Sequence, residues 1–294
     1  MELAIEARAL GKRYGRTWAL RDCTLDVPAG RIAALVGPNG AGKTTLLHLA
    51  VGLSRPDAGE VRVFGHDPRS VLADVGFVAQ DTPLYRDFTA AELVTMGGKL
   101  NRRRWDAALA RERLAMLGIP PGKPVGQLSG GQRAQVALAL ALAKRPRLLL
   151  LDEPIASLDP LARREFMQAL MGAVAESETT VLLSSHLLAD LERSCDYVVV
   201  LQQSRVQLAG PVDELLDTHR TLVGPRAGSE SIAGVAKVVR ASHTERQSTL
   251  LVRRGGGPVD PLWTEHDVTL EDLVLAHLAE AGPRVAASAW GVPA

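Results

Sequence analysis

A glycine-rich stretch is the part of the sequence whose residue types and spacing point most directly to chemistry. Residues 37–45 read GPNGAGKTT, which matches the form G-x-x-x-x-G-K-T. Glycines allow backbone conformations closed to other residues, so successive N–H groups can converge on one anion. Lys43 would bridge the β and γ phosphates as a compact cation, and the Thr44 hydroxyl would bind magnesium. The stretch therefore predicts a site for a nucleoside triphosphate.

The segments on either side supply the context that this motif requires. Residues 31–36 form a short apolar run typical of a buried strand, and residues 44–50 contain good helix formers and few helix breakers. A strand that leads into a helix is the arrangement in which such a loop holds phosphates. The helix N-terminus also directs roughly half an elementary charge at the anion. The alternative is a glycine-rich turn with a solvated lysine, but such a turn requires neither a strand before it nor a helix after it.

Two adjacent carboxylates, Asp152 and Glu153, follow the apolar run Leu148–Leu151. The run predicts a fully buried strand, and its carboxyl end lies at the edge where α/β sheets bind ligands. Adjacent carboxylates repel each other, and burial of an unpaired charge is costly. A magnesium ion bound by Asp152 and a water molecule held by Glu153 would account for both groups.

Three other side chains could face the same ligand, although each also has an ordinary structural interpretation. Tyr14 could stack on a nucleobase or lie on the surface of a hairpin. Gln80 follows the predicted strand Val75–Ala79, so its amide oxygen could bind magnesium or be solvated. His186 follows the predicted strand Thr179–Ser184 and could donate to a phosphate or begin a helix.

The stretch Leu128–Gln132, with the sequence LSGGQ, opens a long helix rich in alanine and leucine. Ser129 and Gln132 have the spacing of a capping box, which by itself only starts a helix. Gly130 and Gly131 leave the helix N-terminus uncovered, so the functional alternative is a further anion site.

Bulk composition narrows the class of protein. The 294 residues suffice for a large α/β domain and a small second one. Lysine plus arginine, 34, nearly equals aspartate plus glutamate, 33, so the charge balance does not indicate nucleic acid or an anionic membrane surface. The cysteines, Cys23 and Cys195, lack metal-ligand spacing and are expected to be reduced and buried.

No membrane or export signal is predicted. The N-terminus lacks a basic start followed by an apolar core, and the longest apolar run, Val136–Ala143, is far short of the roughly 20 residues that span a bilayer. We expect a soluble cytoplasmic protein, whose role at a membrane would require another chain.

The order and spacing of these motifs resemble those of one family, the ATP-binding-cassette (ABC) ATPases. The resemblance covers about residues 2–220. A phosphate loop alone marks a very large superfamily, whereas LSGGQ ahead of Leu-Asp-Glu-Pro is highly specific. No motif position departs from the family pattern, so the cassette is expected to be catalytically intact.

The resemblance implies an α/β fold: a phosphate-loop NTPase cassette with a mixed-sheet core, an antiparallel β subdomain and a helical subdomain at about residues 85–145. We expect the cassette to span residues 1–220 and a small C-terminal α+β accessory domain to span residues 221–294. Gly224-Pro225 and Gly228-Ser229-Glu230 are interpreted as a linker. Strands near 236–241 and 248–253 and a helix from Thr269 should follow. A specific ligand sensor is the alternative for this tail.

The resemblance also implies a head-to-tail dimer, of identical or different cassettes, with two ATP molecules at its interface. Tyr14 would stack on adenine, Glu153 would be the general base, and His186 would donate to the γ-phosphate. Ser129 and Asp159 would act across the dimer. The expected ATP-binding residues are Tyr14, Gly37, Asn39, Gly40, Gly42, Lys43, Thr44, Thr45, Ser129, Gly130, Gly131, Gln132 and Asp159; the expected Mg²⁺ ligands are Thr44, Gln80 and Asp152; the expected catalytic residues are Glu153, His186 and Lys43.

Three functions compete. The first is the ATP-hydrolysing subunit of a transporter, held at the cytoplasmic face of the membrane by a separate integral membrane permease. A single cassette with a short tail resembles prokaryotic exporter subunits for drugs or antibiotics, although importer subunits share every motif. The second is a soluble ABC ATPase acting on ribosomes or DNA, and the third is a non-catalytic nucleotide-binding module.

The first function is favoured. The sequence shows neither a second cassette, nor a long insertion between the motifs, nor a basic arm for nucleic acid. Intact Glu153 and His186 argue against a non-catalytic module. We therefore expect an exporter subunit that binds no nucleic acid, with substrate choice residing in the permease.

Overall fold

The apolar runs that predict buried strands form strands in the structure, a computed structural model that describes residues 2–102, 104–175, 177–186, 194–227, 229 and 232–280. The chain divides into two compact units, Met1–Leu215 and Leu216–Ala294. Residue 220, where the domain boundary was predicted, lies within a strand, His219–Pro225.

The elements up to the division are, in chain order, β1 (Leu3–Tyr14), β2 (Thr17–Pro28), β3 (Ile32–Val36), α1 (Lys43–Ala50), β4 (Ala58–Val63), β5 (Val75–Val78), α2 (Ala90–Leu100), α3 (Ala107–Met116), α4 (Gly130–Ala143), β6 (Leu148–Asp152), α5 (Pro160–Ala175), β7 (Thr180–Ser185), β8 (Tyr197–Gln202), β9 (Arg205–Pro211) and α6 (Val212–Thr218), the last of which crosses it. Short 3₁₀ helices lie at Pro68–Asp74 and Val125–Gln127.

The central sheet of the first unit has six strands in the order β5-β6-β7-β3-β8-β9. Its first five strands are parallel, and β9 pairs antiparallel with β8. Every residue of β6, β7 and β8 is buried, as expected for parallel strands covered on both faces. Because β5, β6, β7 and β3 run in the same direction, the segments that follow them emerge at one edge.

Two smaller parts complete this unit and confirm the predicted cassette fold. An antiparallel sheet has the order β2-β1-β4. Helices α2, α3 and α4 share a separate apolar core that includes Leu93, Leu114 and Val136. Thr89 and Glu92 have the spacing that predicts a capping box, and they form one at the start of α2.

One helix is shorter than predicted. The spacing of apolar residues over Arg102–Leu117 predicts an amphipathic helix, but α3 begins at Ala107. The side chain of Asp106 accepts a hydrogen bond from the Leu109 amide and caps the helix there. A capping aspartate favours non-helical backbone at its own position, so the helix does not extend into the arginine-rich segment before it.

The second unit contains β10 (His219–Pro225), β11 (Val235–His243), β12 (Gln247–Arg254), β13 (Thr264–His266) and α7 (Leu270–Glu280). Its antiparallel sheet has the order β11-β12-β10-β13. Residues Leu222, Leu250, Val252 and Trp263 form its core. Thr269 and Asp272 hydrogen-bond to each other at the start of α7, the helix that was predicted from Thr269.

The linker predicted at Gly224-Pro225 is wrong, because both residues belong to β10 and pair with β12. Glycine is needed there for packing: a Cβ on Gly224 would lie 2.5 Å from the Trp263 ring. Pro225 is the last residue of β10 and lies beyond the part that pairs with β13, so one side of the strand is a sheet edge there, where proline is tolerated. Strands β10 and β13 were not predicted, and Gly228 and Glu230 lie outside the described residues.

Among the helices that the structure describes, none combines the length and the apolar character needed to cross a bilayer.

Candidate active site

Three neighbouring strands bring the predicted catalytic residues to one edge of the central sheet. β6 ends at Asp152 and is followed by Glu153, β7 is followed by His186, and β3 leads into the loop from Gly37 to α1. In the sheet β7 lies between β6 and β3, with Asp152 opposite Ser184. The parallel topology therefore gathers side chains that are more than a hundred residues apart in sequence.

The phosphate loop has the backbone that its glycines predict. Gly37 is packed so closely that a Cβ there would lie 2.1 Å from the Leu201 carbonyl oxygen. Gly42 has a φ of +109° and is the N-cap of α1, and a Cβ there would lie 2.4 Å from the Ala19 carbonyl oxygen. Any other residue at these two positions would clash with backbone. The loop thus ends at a helix N-terminus suited to an anion.

Lys43 lies beneath the loop and contacts the acidic edge of the sheet. Its Nζ donates to the carbonyl oxygen of Gly37 at 2.7 Å and lies 3.3 Å from that of Pro38. The same Nζ lies 3.0 Å from Oε1 of Glu153, and both side chains are only 6% exposed. The contact with Glu153 is an ion pair rather than a well-directed hydrogen bond. Lys43 is therefore paired with the buried carboxylate of Glu153 at the place where the loop is predicted to bind phosphate.

Glu153 is shared between two partners. Its Oε2 lies 2.7 Å from Nδ1 of His186, while its Oε1 faces Lys43. Its backbone has a φ of +47°, which is uncommon for a residue with a side chain and is found where surrounding contacts hold it. The imidazole, the carboxylate and the ammonium group form one chain of polar contacts at the sheet edge.

Ser184 is a site residue that the sequence analysis missed. Its buried hydroxyl accepts from the backbone N–H of Glu153 at 2.9 Å and donates to Oδ1 of Asp152 at 2.8 Å. A serine that directly follows the apolar residues 181–183 of the strand, two residues before His186, was the available signal.

The other residues predicted to contact nucleotide lie on the surface or at the loop. Tyr14, at the end of β1, is 53% exposed, with Nζ of Lys12 5.6 Å from its ring centroid. Gln80 is exposed in the turn after β5, and Asn39 and Gly40 are exposed in the phosphate loop. Thr44 is half-buried and Thr45 is buried.

The LSGGQ segment begins α4 as predicted. Ser129 and Gln132 form a complete capping box, in which each side chain bonds the other residue's backbone N–H. Ser129 and Gly130 are exposed, and Gly131 lies so close to Ala162 that an added Cβ would be 2.9 Å from the alanine Cβ. An exposed helix N-terminus fits a surface that meets another molecule, and its role toward a second subunit stays a prediction.

Asp159 has a structural use as well as its predicted role. Its Oδ1 accepts from the backbone N–H groups of Leu161 and Ala162 at 3.0 Å each, which caps α5. The segment between Glu153 and this cap places Asp159 on the surface. Its predicted action across a dimer therefore remains a prediction.

The donors expected to hold magnesium are a hydroxyl, an amide oxygen and a carboxylate, from Thr44, Gln80 and Asp152. Oxygen ligands of this kind, together with phosphate oxygens, are those that Mg²⁺ prefers. In the described part of the chain, no group of three or more histidine, cysteine or acidic side chains could hold a metal ion unaided. A magnesium ion that shares its ligands between the protein and the phosphates fits this donor set.

The chain is similar in sequence to proteins of known family. Residues 20–156 match the family described as ABC transporter. The sulfate/thiosulfate import ATP-binding protein CysA of Yersinia pseudotuberculosis is 37% identical over 224 residues, covering 72% of this chain and 62% of that protein. CysA 2 of Chromobacterium violaceum is 35% identical over 289 residues, 90% of this chain and 78% of the relative. The chain thus spans less than two thirds of the Yersinia relative.

Solved structures with the same fold are also found. cbiO1 from Clostridium perfringens, described as part of the ABC transporter complex cbiONQ, has a TM-score of 0.63 and 27% identity, covering 74% of this chain and 92% of that one. The cassette MJ0796, described as dimeric in a post-hydrolysis state bound to ADP and Pi, has a TM-score of 0.64 and 26% identity, covering 70% and 98%. The chain belongs to the family of ABC transporter ATP-binding subunits.

Proposed function

We propose that the chain hydrolyses ATP as the nucleotide-binding subunit of a transporter and energises a separate integral membrane permease. The observation that carries this proposal is the position of Glu153, held between Lys43 and His186 at the base of the phosphate loop. A carboxylate beside a phosphate-binding lysine is placed to take a proton from an attacking water molecule, and it can do so once bound phosphate takes the ammonium group of that lysine from it. A module that only binds nucleotide has no need of it.

The roles of the side chains follow from this geometry. The backbone N–H groups of the loop and Nζ of Lys43 bind the phosphates, and bound Mg²⁺ would neutralise part of their charge through Thr44, Gln80 and Asp152. Glu153 accepts the proton of the water that attacks the γ-phosphate. Nδ1 of His186 holds the Glu153 carboxylate, and we assign to the same ring the donation toward the γ-phosphate. Tyr14 stacks on the adenine ring.

Dimerisation completes the site in this proposal. One chain supplies the loop and the acids, while Ser129, Gly130, Gly131 and Gln132 supply backbone and side-chain donors to the ATP held by a partner cassette. The exposed start of α4 supports this arrangement, as does the dimeric relative bound to ADP and Pi. Asp159 acts across the same interface. Closure of the dimer around ATP excludes water, and hydrolysis releases the dimer. The pair of cassettes therefore alternates between two states, and this change can do mechanical work on the permease.

The direction of transport is a separate question. The sequence analysis predicts export. The relatives described above are named as import proteins for sulfate or thiosulfate, so they favour import and lend no support to export. The residues of the site bind nucleotide, and we assign the choice of substrate to the permease. The chain would then lie at the cytoplasmic face of the membrane through that partner.

A capture experiment tests the proposal. Tagged Glu153→Gln protein, incubated with ATP and solubilised membranes of its own source, should retain a polytopic membrane protein in stoichiometric amount. The matched control is the same variant without ATP, and mass spectrometry identifies the retained chains. Recovery of ribosomal or DNA-bound proteins without a membrane chain would overturn the transporter role. With the partner in inside-out vesicles, ATP-driven release of substrate indicates import, and accumulation indicates export.

A further inference from the structure

The hydroxyl of Ser184 joins the two acidic residues that end strand β6. It donates to Oδ1 of Asp152 at 2.8 Å and accepts from the backbone N–H of Glu153 at 2.9 Å. Ser184 is 0% exposed, so solvent does not compete for these bonds. One buried hydroxyl therefore contacts both the residue proposed to bind magnesium and the residue proposed to activate water.

The backbone at this point needs such a contact. Successive side chains of a strand point to opposite faces, so a regular strand would separate the Asp152 and Glu153 side chains. Glu153 instead has a φ of +47°, which ends the strand and redirects the chain. A residue with a side chain keeps this conformation only where its surroundings fix it. The hydrogen bond from the Glu153 N–H to Ser184 is such a contact, and it acts directly on the backbone of Glu153.

The register of the sheet places the hydroxyl at this position. Asp152 pairs with Ser184 in the parallel ladder between β6 and β7. The same strand, β7, is followed by His186, whose Nδ1 lies 2.7 Å from the Glu153 carboxylate. Strand β7 and the residue that follows it therefore hold Glu153 at two points, the backbone through Ser184 and the side chain through His186.

We propose that Ser184 is a positioning residue for ATP hydrolysis: it sets the backbone of Glu153 and the carboxylate of Asp152, and it touches neither nucleotide nor water itself. This inference rests on the proposed function. Removal of a hydrogen-bonding partner behind a metal or catalytic ligand typically lowers affinity or activity about 10- to 100-fold. The loss should fall on turnover, because the loop that binds the phosphates does not depend on Ser184.

Two variants whose new side chains have the same shape separate the effect of the hydroxyl from the effect of side-chain size. Ser184→Thr keeps the hydroxyl and adds a methyl group, whereas Ser184→Val has the same shape without the hydroxyl. Thr180→Val is the matched control, because Thr180 lies on the same strand, is 1% exposed, and its hydroxyl accepts from the Gly30 N–H at 2.9 Å, at the end of β7 away from Glu153. A purely structural effect should appear equally in Ser184→Val and Thr180→Val.

The first measurement compares the rate of ATP hydrolysis with the affinity for ATP in each variant. We expect Ser184→Val to hydrolyse ATP about 10- to 100-fold more slowly than wild type, with Mg²⁺-free ATP affinity within about twofold. Ser184→Thr should recover most of the turnover, and Thr180→Val should lose stability but not turnover. Wild-type turnover in Ser184→Val, or equal losses in Ser184→Val and Ser184→Thr, would overturn the proposal.

The second readout does not depend on hydrolysis. Amide hydrogen exchange of the peptide that contains Glu153, measured without nucleotide, should be faster in Ser184→Val than in Ser184→Thr. Equal exchange in the two variants would show that the hydroxyl does not hold this backbone. If wild-type protein fails to hydrolyse ATP, the proposed function fails, and the exchange comparison still decides whether Ser184 fixes Glu153.

Discussion

Replacement of Glu153 by glutamine should change stability and nucleotide affinity in opposite directions. In the wild-type chain Oε1 of Glu153 lies 3.0 Å from Nζ of Lys43, and both side chains are 6% exposed. Bound phosphate would take the same ammonium group, so ATP must compete with Glu153. Glu153→Gln removes the competing charge and leaves Lys43 without its counter-ion when nucleotide is absent.

The size of the effect follows from the burial of the pair. Loss of one partner of a buried ion pair commonly costs about 3–5 kcal/mol. The cost here should be smaller, because Nζ of Lys43 keeps its 2.7 Å bond to Gly37 and the glutamine still offers an oxygen. We expect the free energy of unfolding without nucleotide to fall by about 1–3 kcal/mol. ATP should then bind about tenfold more tightly, since about 1.4 kcal/mol corresponds to a factor of ten.

The assay is an equilibrium titration with a fluorescent ATP analogue in the absence of Mg²⁺, so that wild-type turnover does not interfere. Urea denaturation without nucleotide gives the free energy of unfolding of the same proteins. Glu165→Gln, an exposed residue on α5, is the control for the change of net charge. Unchanged affinity together with unchanged stability would refute the competition between Glu153 and phosphate for Lys43, and weaker binding in Glu153→Gln would do so as well.

The other predictions concern dimer closure, the phosphate loop and a helix cap. Ser129→Arg should prevent ATP-dependent dimerisation while the single chain keeps its nucleotide affinity; sedimentation with ATP checks this, and complete loss of affinity would place Ser129 in the chain's own pocket. Gly37→Ala should lower the free energy of unfolding by about 1–3 kcal/mol, because its Cβ would lie 2.1 Å from the Leu201 carbonyl oxygen; a urea midpoint equal to that of wild type would contradict it. The N–H of Thr89, followed by its hydroxyl, holds the pKa of Glu92 below its usual range. The hydrogen-bonded Glu92 carboxylate therefore stabilises the fold above its unfolded-state pKa, and this stabilisation is lost as the pH falls through its folded-state pKa. The free energies of unfolding of wild type and Glu92→Gln should thus converge in acid. A difference between them that stays constant with pH would refute this.

The elements around the site could be predicted because their signals are local. The apolar run Leu148–Leu151 is buried strand β6, and the glycine pattern of the phosphate loop matches the backbone that Gly37 and Gly42 adopt. The capping boxes at Thr89 and Ser129 were read correctly from residues three apart. In each case the sequence signal lies within a few neighbouring residues, although strand β6 also needs its partners β5 and β7 and Gly37 packs against the distant Leu201.

The contacts within the site could not be predicted in the same way. The bonds of Ser184 depend on the register between β6 and β7, and one of them is made by the N–H of Glu153, whose backbone is left-handed. Sequence reasoning also treated Lys43 and Glu153 as separate groups, whereas the parallel topology places them in contact.

The errors elsewhere have similar causes. Gly224 was interpreted as part of a linker because a glycine next to proline usually marks a turn, but it makes room for the ring of Trp263, a packing requirement that appears only in three dimensions. Whether Ser129 and Asp159 act on a partner's nucleotide depends on a second chain, so those roles stay predictions.

Steady-state phosphate release from ATP and Mg²⁺ tests the central claim most directly. It is measured for the purified full chain and for Glu153→Gln over a range of protein concentrations. We predict that turnover per chain rises with protein concentration, because two cassettes complete each site, and that Glu153→Gln loses it by a factor of at least about a hundred. Equal turnover in the two proteins, or no turnover by wild type at concentrations where ATP is bound and the chain is dimeric, would contradict the account.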